Sequence, residues 1–255
     1  MTNLTGKTAI ITGASRGIGA ATARHLAALG ANVVLAARSQ SALSELTQSI
    51  LDDGGAARLQ VCDVVDPTSV DALIKMATDT FGSLDILVNN AGLIDPITTL
   101  ADSNPAAWAK VLDVNVKGVY HGLRYALPVM RAQGAGTIIN ISSGAANSFL
   151  EGWSHYCASK AAVVRLTGIA HKENADAGVT VVGLSPGTVA TDMMATIRAS
   201  GINPVSQLSP DAHIPTEWVA QAIAYLCGPD GRTYAGQDFS LKTKEGRAAL
   251  NLPPV

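Results

Sequence analysis

The feature that most constrains the fold is an alternation of short apolar segments with segments of helical periodicity. Lys7 to Thr12 is rich in isoleucine, and after a glycine turn Gly17 to Gly30 shows helical spacing. The alternation continues along the chain, with predicted strands at 32–37, 57–61, 85–88, 136–141, 180–184 and about 237–241. Predicted helices occupy 41–53, 68–81, about 104–132, about 153–177 and 216–226. Apolar strands that each precede a helix predict an α/β fold with a doubly wound parallel sheet, buried on both faces.

A chain of 255 residues, of which 47% are hydrophobic, is the size of one large domain. The stretch from Ala190 to Pro215 breaks the alternation, because it mixes methionine and isoleucine with glycine, proline and serine. Insertions of this length in compact domains are often lids. We therefore predict a single Rossmann-like domain over 1–255 with a small substrate lid at about 190–215.

Charge and cysteine usage exclude several classes of protein. A net charge of −2 without a basic run argues against nucleic acid as a partner. Met1 to Lys7 is polar, and no run approaches the roughly 18 apolar residues of a membrane span, so no membrane partner and a cytoplasmic location are expected. Cys62, Cys157 and Cys227 are widely spaced, which disfavours a disulfide framework and a metal site.

The turn after the first predicted strand reads Thr-Gly-Ala-Ser-Arg-Gly-Ile-Gly. Free backbone N–H groups and the helix dipole at such a turn bind a dinucleotide pyrophosphate, and glycines allow a close approach. A tight strand-to-helix turn without a ligand is the alternative. Its position at the first βα junction favours cofactor binding by the turn, with these candidate residues: Gly13, Ser15, Arg16, Gly17, Ile18 and Gly19.

The end of the second predicted strand indicates the kind of dinucleotide. An acidic residue there would accept a hydrogen bond from a ribose 2′-OH, but no acidic residue is present and the strand is followed by Arg38. Together with Arg16, Arg38 could hold a 2′-phosphate by charge-assisted hydrogen bonds. This arrangement favours NADP(H) over NAD(H). Two solvated surface arginines are the alternative.

A tyrosine and a lysine four residues apart lie at the start of a predicted helix. Tyr156 and Lys160 share one face of that helix, so an ammonium would stand near the phenol. A nearby positive charge stabilises a phenolate, and we expect the pKa of Tyr156 to move down toward the working pH. The strand at 136–141 delivers the hydroxyls of Ser142 and Ser143 to the edge where doubly wound sheets bind ligands.

These motifs resemble those of the short-chain dehydrogenases/reductases, including the 3-oxoacyl-carrier-protein reductases and carbonyl reductases. The thirteen-residue separation of Ser143 from Tyr156 is similar to the family's spacing. The resemblance implies that Tyr156 is the acid/base, that Lys160 assists it and that Ser143 polarises a carbonyl, with Ser142 as the less favoured candidate. It also implies that Asn115, within Asp-Val-Asn-Val-Lys-Gly, orients a water beside Lys160.

The resemblance extends from Leu4 to about Phe239. It implies cofactor contacts at the ends of further strands and in the turn that closes on a nicotinamide, including contacts by Tyr156 and Lys160. The additional residues are Asp63, Val64, Asn90, Ala91, Gly92, Pro186, Gly187, Val189 and Thr191.

The implied activity is hydride transfer between NADP(H) and a ketone or aldehyde, or the corresponding secondary alcohol. The resemblance also implies a homodimer or homotetramer. Residues 236–247 depart from the family's usual apolar strand followed by Val-Asp-Gly-Gly, which leaves open one tetramer interface and the pocket floor. Apolar residues at 93–94, 145–153 and 193–215 favour an apolar substrate, unless Asn147, Glu151 and His155 face inward. A catalytically silent NADP-sensing protein is the alternative.

Overall fold

Seven parallel strands form the centre of the computed structural model, which describes residues 2–254. They follow the order β3-β2-β1-β4-β5-β6-β7, so the direction of winding reverses between β1 and β4. This confirms the predicted doubly wound, Rossmann-like sheet. The strands are β1 Thr8–Thr12, β2 Asn32–Ala37, β3 Ala56–Val61, β4 Ile86–Asn89, β5 Gly136–Ile141, β6 Val179–Ser185 and β7 Asp238–Ser240.

Helices cover both faces of the sheet. The α-helices are α1 Gly17–Ala28, α2 Gln40–Asp52, α3 Pro67–Phe81, α4 Pro105–Leu112, α5 Gly118–Gln133, α6 Ser154–Asn174, α7 Asp192–Ser200, α8 Thr216–Leu226 and α9 Lys244–Ala249. Short 3-10 turns occupy Gly144–Asn147, Ala175–Ala177, Pro204–Gln207, Pro210–Ala212 and Asp230–Tyr234.

Alternate residues of the strands build two cores on opposite faces of the sheet. All five residues of β1 are buried. Ala9 and Ile11 pack with residues of α1 and α8, whereas Ile10, between them, packs with residues of α3 and α5. This is the period-two pattern of a strand, with apolar side chains on both faces because helices cover both.

The structure differs from the prediction in three segments. The long helix expected over 104–132 is interrupted by a π-helical segment at Asp113–Lys117, between α4 and α5. The segment at 190–215, for which no helix was predicted, contains α7 and two 3-10 turns. Helix α9 follows β7 and was not predicted. Elsewhere the ends of elements differ by only a few residues, as hydrogen-bond-based boundaries commonly do.

The carboxyl ends of β1 and β4 lie side by side where the winding reverses, and ligands bind at such a position in open α/β sheets. Buried amides tie the neighbouring strands together there. Asn89 donates to Asn140 at 2.8 Å, and Asn140 donates to Thr167 of α6 at 2.9 Å. The edge is therefore firmly connected to the helix that carries Tyr156 and Lys160.

Candidate active site

The glycine turn between β1 and α1 is shaped by positive φ angles and by close backbone packing. Gly13 and Gly17 have φ angles of 64° and 55°, which side chains disfavour. A β-carbon at Gly13 would lie 2.9 Å from the α-carbon of Ala91, and one at Gly19 would overlap the carbonyl oxygen of Gly13. The geometry of the turn thus explains its glycines. The turn leads directly into the first turn of α1.

The turn is fastened to the end of β4 through Asn90. The Asn90 side chain donates to the carbonyl oxygens of Thr12 and Gly13, at 2.9 and 3.2 Å. The Thr12 hydroxyl accepts from the backbone N–H groups of Asn90 and Ala91, at 3.0 and 3.1 Å. These bonds hold the two loops that flank the crevice at a constant separation.

One cavity of about 790 Å³ runs from this turn to the start of α6, which is within the roughly 300–1,000 Å³ range of ligand sites. Its lining brings together nearly all the predicted site residues: Gly13, Ser15, Arg16, Gly17, Ile18, Arg38, Asp63, Val64, Asn90, Ala91, Gly92, Ser143, Tyr156, Lys160, Pro186, Gly187, Val189 and Thr191. Gly19 and Asn115 do not line the cavity. They pack directly behind its wall.

Tyr156 and Lys160 lie on the buried face of α6, as their spacing predicts. The Lys160 Nζ is 5.6 Å from the centre of the Tyr156 ring and donates to the Ile141 carbonyl oxygen at 2.7 Å. The ring of Trp153 packs edge-on against Tyr156, with centroids 5.5 Å apart. The phenol and the ammonium thus face the cavity from one helix, and β5 anchors the ammonium.

The expected fall in the pKa of Tyr156 is wrong for this structure. Burial raises the pKa of Tyr156 to about 12, because desolvation penalises a phenolate, and an interaction with the Ser143 side chain offsets only part of that rise. The phenol is therefore neutral at physiological pH. Sequence reasoning accounted for the neighbouring ammonium but not for the apolar surroundings.

Burial acts on Lys160 in the opposite sense, because its charged form is the protonated one. It lowers the pKa of Lys160 to about 8, and the negative charge of Asp238 opposes part of that change. Lys160 is therefore ionised at neutral pH but close to titration.

The two neighbouring serines have different partners in the structure. The Ser142 hydroxyl donates to Asp238 Oδ2 at 2.6 Å. Ser143 lies beside Tyr156, and its hydroxyl accepts from the Ala145 backbone N–H at 3.2 Å, which begins the 3-10 turn. Of the two candidates, Ser143 is the one placed with the tyrosine.

Asn115 lies in the π-helical segment and is almost fully buried. Its side chain accepts from the Leu93 N–H at 2.8 Å and donates to the Leu93 carbonyl at 2.9 Å and to the Ser159 hydroxyl at 3.0 Å. A β-carbon at Gly92 would lie 3.4 Å from Asn115 Oδ1 and 3.9 Å from Lys160 Nζ. Asn115 thus joins the loop after β4 to α6, next to the lysine.

The two arginines predicted to hold a phosphate are both exposed. Arg38 follows β2 and lines the cavity. Arg16 forms an ion pair with Asp192 at the start of α7, with an N–O distance of 3.0 Å. Both partners of this pair are largely exposed to solvent, so the pair contributes little to stability and the guanidinium is easily released.

The other predicted contact segments line the same crevice. Asp63 accepts from the Val65 N–H at 3.1 Å beside the end of β3. Gly187 has a φ of 83°, which suits the turn after β6, and the Thr191 hydroxyl donates to the Val189 carbonyl at 3.3 Å. Val189 and Ala190 also pair with Ile214, so the two ends of the 190–215 segment are joined.

Apolar residues enclose the end of the cavity next to the phenol. Buried members of this cluster are Ile94, Ala145, Trp153, Tyr156, Met194 and Ile197, with Leu150, Met193 and Val205 at its edge. The three polar residues that the sequence left open as possible substrate contacts do not face this apolar end of the cavity. Asn147 and Glu151 are exposed, and His155 is buried with its Nε2 2.6 Å from the Ile94 carbonyl oxygen.

Sequence reasoning did not single out Asp238 as a site residue. It lies on β7, within the segment whose departure from the family pattern was noted, and its carboxyl contacts Ser142. The available signal was an acidic residue at the beginning of the last predicted strand, where the family pattern is apolar. Among residues 2–254, no three His, Cys, Asp or Glu residues gather as metal ligands, and no helix is long and apolar enough to cross a membrane.

The sheet and the cavity at its reversal point are those of the dinucleotide-binding class of α/β proteins. The family model for short chain dehydrogenase matches residues 7–201. A 3-oxoacyl-[acyl-carrier-protein] reductase of a Synechocystis species is 39% identical over 244 residues, which cover 94% of this chain and 97% of the relative.

Solved structures are similar as well. An NAD⁺-bound xylitol dehydrogenase superposes with a TM-score of 0.87 at 26% identity, covering 93% of this chain and 98% of that one. An actinorhodin polyketide ketoreductase variant with NADPH gives a TM-score of 0.85 at 29% identity, covering 92% and 95%. The chain belongs to the short-chain dehydrogenase family, whose members are oxidoreductases with a nicotinamide cofactor.

Proposed function

We propose that this protein is an NADP(H)-dependent carbonyl reductase that acts on an apolar ketone or aldehyde. The observation that carries the proposal is the neutral, buried Tyr156 at the cavity wall, with Lys160 and Ser143 beside it. A neutral phenol is the form that donates a proton to a carbonyl oxygen, and with NADP(H) as the proposed cofactor we propose reduction as the working direction.

In this mechanism the side chains orient the carbonyl and supply its proton. Ser143 donates a hydrogen bond to the carbonyl oxygen, which polarises the carbon. Tyr156 gives its proton to the same oxygen as negative charge develops there. The Lys160 ammonium stabilises the resulting phenolate and binds the cofactor ribose. Bound nicotinamide supplies the hydride in reduction or accepts it in alcohol oxidation.

The residues of the crevice suit a dinucleotide. The glycine turn leaves no room for side chains where a pyrophosphate would approach the N-terminus of α1. Asp63 and Val64 would meet the adenine, Asn90 to Gly92 the adjacent ribose, and Pro186, Gly187, Val189 and Thr191 the nicotinamide. Asn115 would orient a water beside Lys160.

NADP(H) is proposed over NAD(H) because Arg38 and Arg16 both line the cavity, where their guanidinium groups could hold a 2′-phosphate, and no acid follows β2. The proposal predicts that Arg38→Asp lowers kcat/KM for NADPH by at least about tenfold relative to NADH, since it replaces attraction by repulsion. Steady-state kinetics with both cofactors measure the ratio. Arg131→Asp, on the exposed end of α5, is the matched control. An unchanged ratio in Arg38→Asp would refute the preference.

The substrate class follows from the apolar enclosure beside Tyr156 and from the proposed lid. Met194 and Ile197 of α7 are buried against Trp153, so the 190–215 segment covers this end of the cavity with apolar side chains. Burying an apolar substrate there is favourable by about 25 cal/mol per Å² of surface. A substrate with a free charge near its carbonyl would lose hydration without a partner.

The function is tested with a panel of apolar cyclic and aliphatic ketones, aldehydes, quinones and 3-oxo thioesters. Each is incubated with NADPH or NADH, and loss of the reduced nicotinamide absorbance is followed. Turnover with apolar carbonyls and NADPH is expected. Tight NADPH binding without turnover across the panel would instead support the NADP-sensing alternative. The cytoplasmic location and the homo-oligomeric state remain predictions.

A further inference from the structure

Asp238 occupies an unusual place at the end of the sheet. It is paired in register with Gly183 of β6, and its carboxyl group lies over the position that a side chain at 183 would fill. A β-carbon at Gly183 would overlap Asp238 Oδ1. The glycine on one strand thus makes the space for the carboxyl on the next.

From this space the carboxyl reaches the segment that carries the candidate catalytic groups. Asp238 Oδ2 accepts from the Ser142 hydroxyl at 2.6 Å. Ser142 follows Ile141, whose carbonyl oxygen accepts from Lys160 Nζ at 2.7 Å. Two consecutive residues at the end of β5 therefore contact both charged groups, Ile141 through its carbonyl oxygen and Ser142 through its hydroxyl.

The position carries an electrostatic cost that the fold does not require. Asp238 is half-buried, and its Oδ1 is buried without a hydrogen-bond partner among the described residues. Leaving a buried carboxylate oxygen without a partner is unfavourable, whereas an apolar side chain would fill this strand position without that penalty. The apolar last strand that is usual in the family avoids this penalty, and this chain departs from that pattern.

We propose that Asp238 is a positioning residue of the active site, which provides the counter-charge for the Lys160 ammonium and anchors the Ser142–Ser143 segment beneath the substrate carbonyl. This role rests on the proposed reductase function. Asp238 itself does not touch the substrate or the cofactor in this assignment. It acts through Lys160 and through Ser142.

The charges around these two residues support the assignment. Lys160 is acted on by Asp238, while its other titratable neighbour, Tyr156, is neutral. Burial lowers the pKa of Lys160, and Asp238 opposes that change. Burial also raises the pKa of Asp238, while Ser142 and Lys160 oppose the rise. Cys157 contributes to the raised pKa of Tyr156 but not to the pKa of Asp238 or of Lys160.

The test measures the titration of Lys160 directly, in the full chain without cofactor. Lysine carrying ¹³C at Cε is incorporated, the Lys160 resonance is assigned with Lys160→Arg, and its NMR shift is followed from pH 6 to 11. In Asp238→Asn, which keeps the shape of the side chain, the midpoint should fall by about half to one pH unit, as expected for losing one neighbouring negative charge. Asp238→Ser should give the same shift. Asp79→Asn, an exposed helix position, should leave the midpoint unchanged.

A midpoint that stays in place in folded Asp238→Asn and Asp238→Ser would overturn the inference, whether or not the protein reduces carbonyls. A lowered midpoint without turnover on any carbonyl would retain the Asp238–Lys160 coupling and reject the reductase function. With an active substrate in hand, the alkaline limb of kcat/KM should move down with the midpoint. A uniform loss of rate at all pH values would instead indicate a purely structural role.

Discussion

At the scale of single residues, burial decides the protonation states that the site can use. Burial raises the pKa of Tyr156 to about 12, further above neutral pH, and lowers the pKa of Lys160 to about 8, so the phenol keeps its proton and the ammonium is near its titration point. Sequence spacing alone predicts the opposite shift for the phenol. The proposed reduction suits the observed state, since the donor begins the reaction holding its proton.

Tyr156→Phe removes the proton donor but keeps the ring that packs against Trp153. We expect kcat/KM for carbonyl reduction to fall by about 10²- to 10⁴-fold, the usual contribution of general acid catalysis, with NADPH affinity retained. Steady-state kinetics and a fluorescence titration of NADPH measure the two quantities. Tyr120→Phe, at an exposed position on α5, is the control and should keep wild-type activity. More than a tenth of wild-type kcat/KM in Tyr156→Phe would contradict the acid assignment.

The pH dependence of reduction follows from the pKa of Lys160, which burial lowers to about 8. Below that pH the ammonium stabilises the developing phenolate, and above it this help is lost. We expect kcat/KM to be level near neutral pH and to decline as the pH rises through about 8. A guanidinium stays charged in this range, so the residual rate of Lys160→Arg should not decline there. The same decline in both proteins would rule out Lys160 as its cause.

At the scale of elements, the π-helical segment between α4 and α5 places an amide where a regular helix would not. Such segments add a residue to one turn and are frequent at functional sites. Here Asn115 lies in that segment and faces the loop after β4 and α6, and its three hydrogen bonds join both. An asparagine in a helix interior is otherwise unfavourable.

Asn115→Ala leaves the Leu93 backbone groups and the Ser159 hydroxyl without this partner. Because unsatisfied buried polar groups are costly, the free energy of unfolding should fall by about 2–4 kcal/mol. Urea-induced unfolding followed by circular dichroism provides the value. Asn147→Ala, at an exposed position in the 3-10 turn, should change it by less than about 0.5 kcal/mol. Equal stability of the two variants would mean that the Asn115 contacts are not structural.

At the scale of the whole molecule, apolar side chains remain exposed on the two longest α-helices. Tyr120 of α5 and Ile169 of α6 are each about half exposed, while Val111, on the first part of the long helix, faces the molecule's own core. Contiguous exposed apolar surface marks interfaces, whereas single exposed apolar side chains are common on any protein. The proposed assembly through these helices rests on the family resemblance, and Ile169 is the position at which it is tested.

Light scattering coupled to size exclusion should therefore give the mass of a dimer or tetramer. Ile169→Glu should lower that mass, because it places a charge within the proposed apolar contact. Val61→Glu, at an exposed strand position on the opposite edge of the sheet, should leave it unchanged. A wild-type mass equal to one chain would exclude the assembly.

The sequence by itself determined the elements of the fold and most of the crevice. Apolar periodicity identified the parallel sheet, the glycine turn identified its first βα junction, and the spacing of Tyr156 and Lys160 placed them on one face. These are local or periodic properties of the chain, and strand ends in a parallel sheet necessarily meet at one edge.

Only the tertiary structure decided how distant groups act on one another. It placed Ser143 rather than Ser142 beside the tyrosine, reversed the expected pKa change of Tyr156, and joined Ser142 to Asp238 across a separation of 96 residues. Hydrogen bonding and desolvation depend on which segments pack together and on what water they exclude. That information is absent from spacing along the chain, because it exists only once the sheet and its helices have assembled.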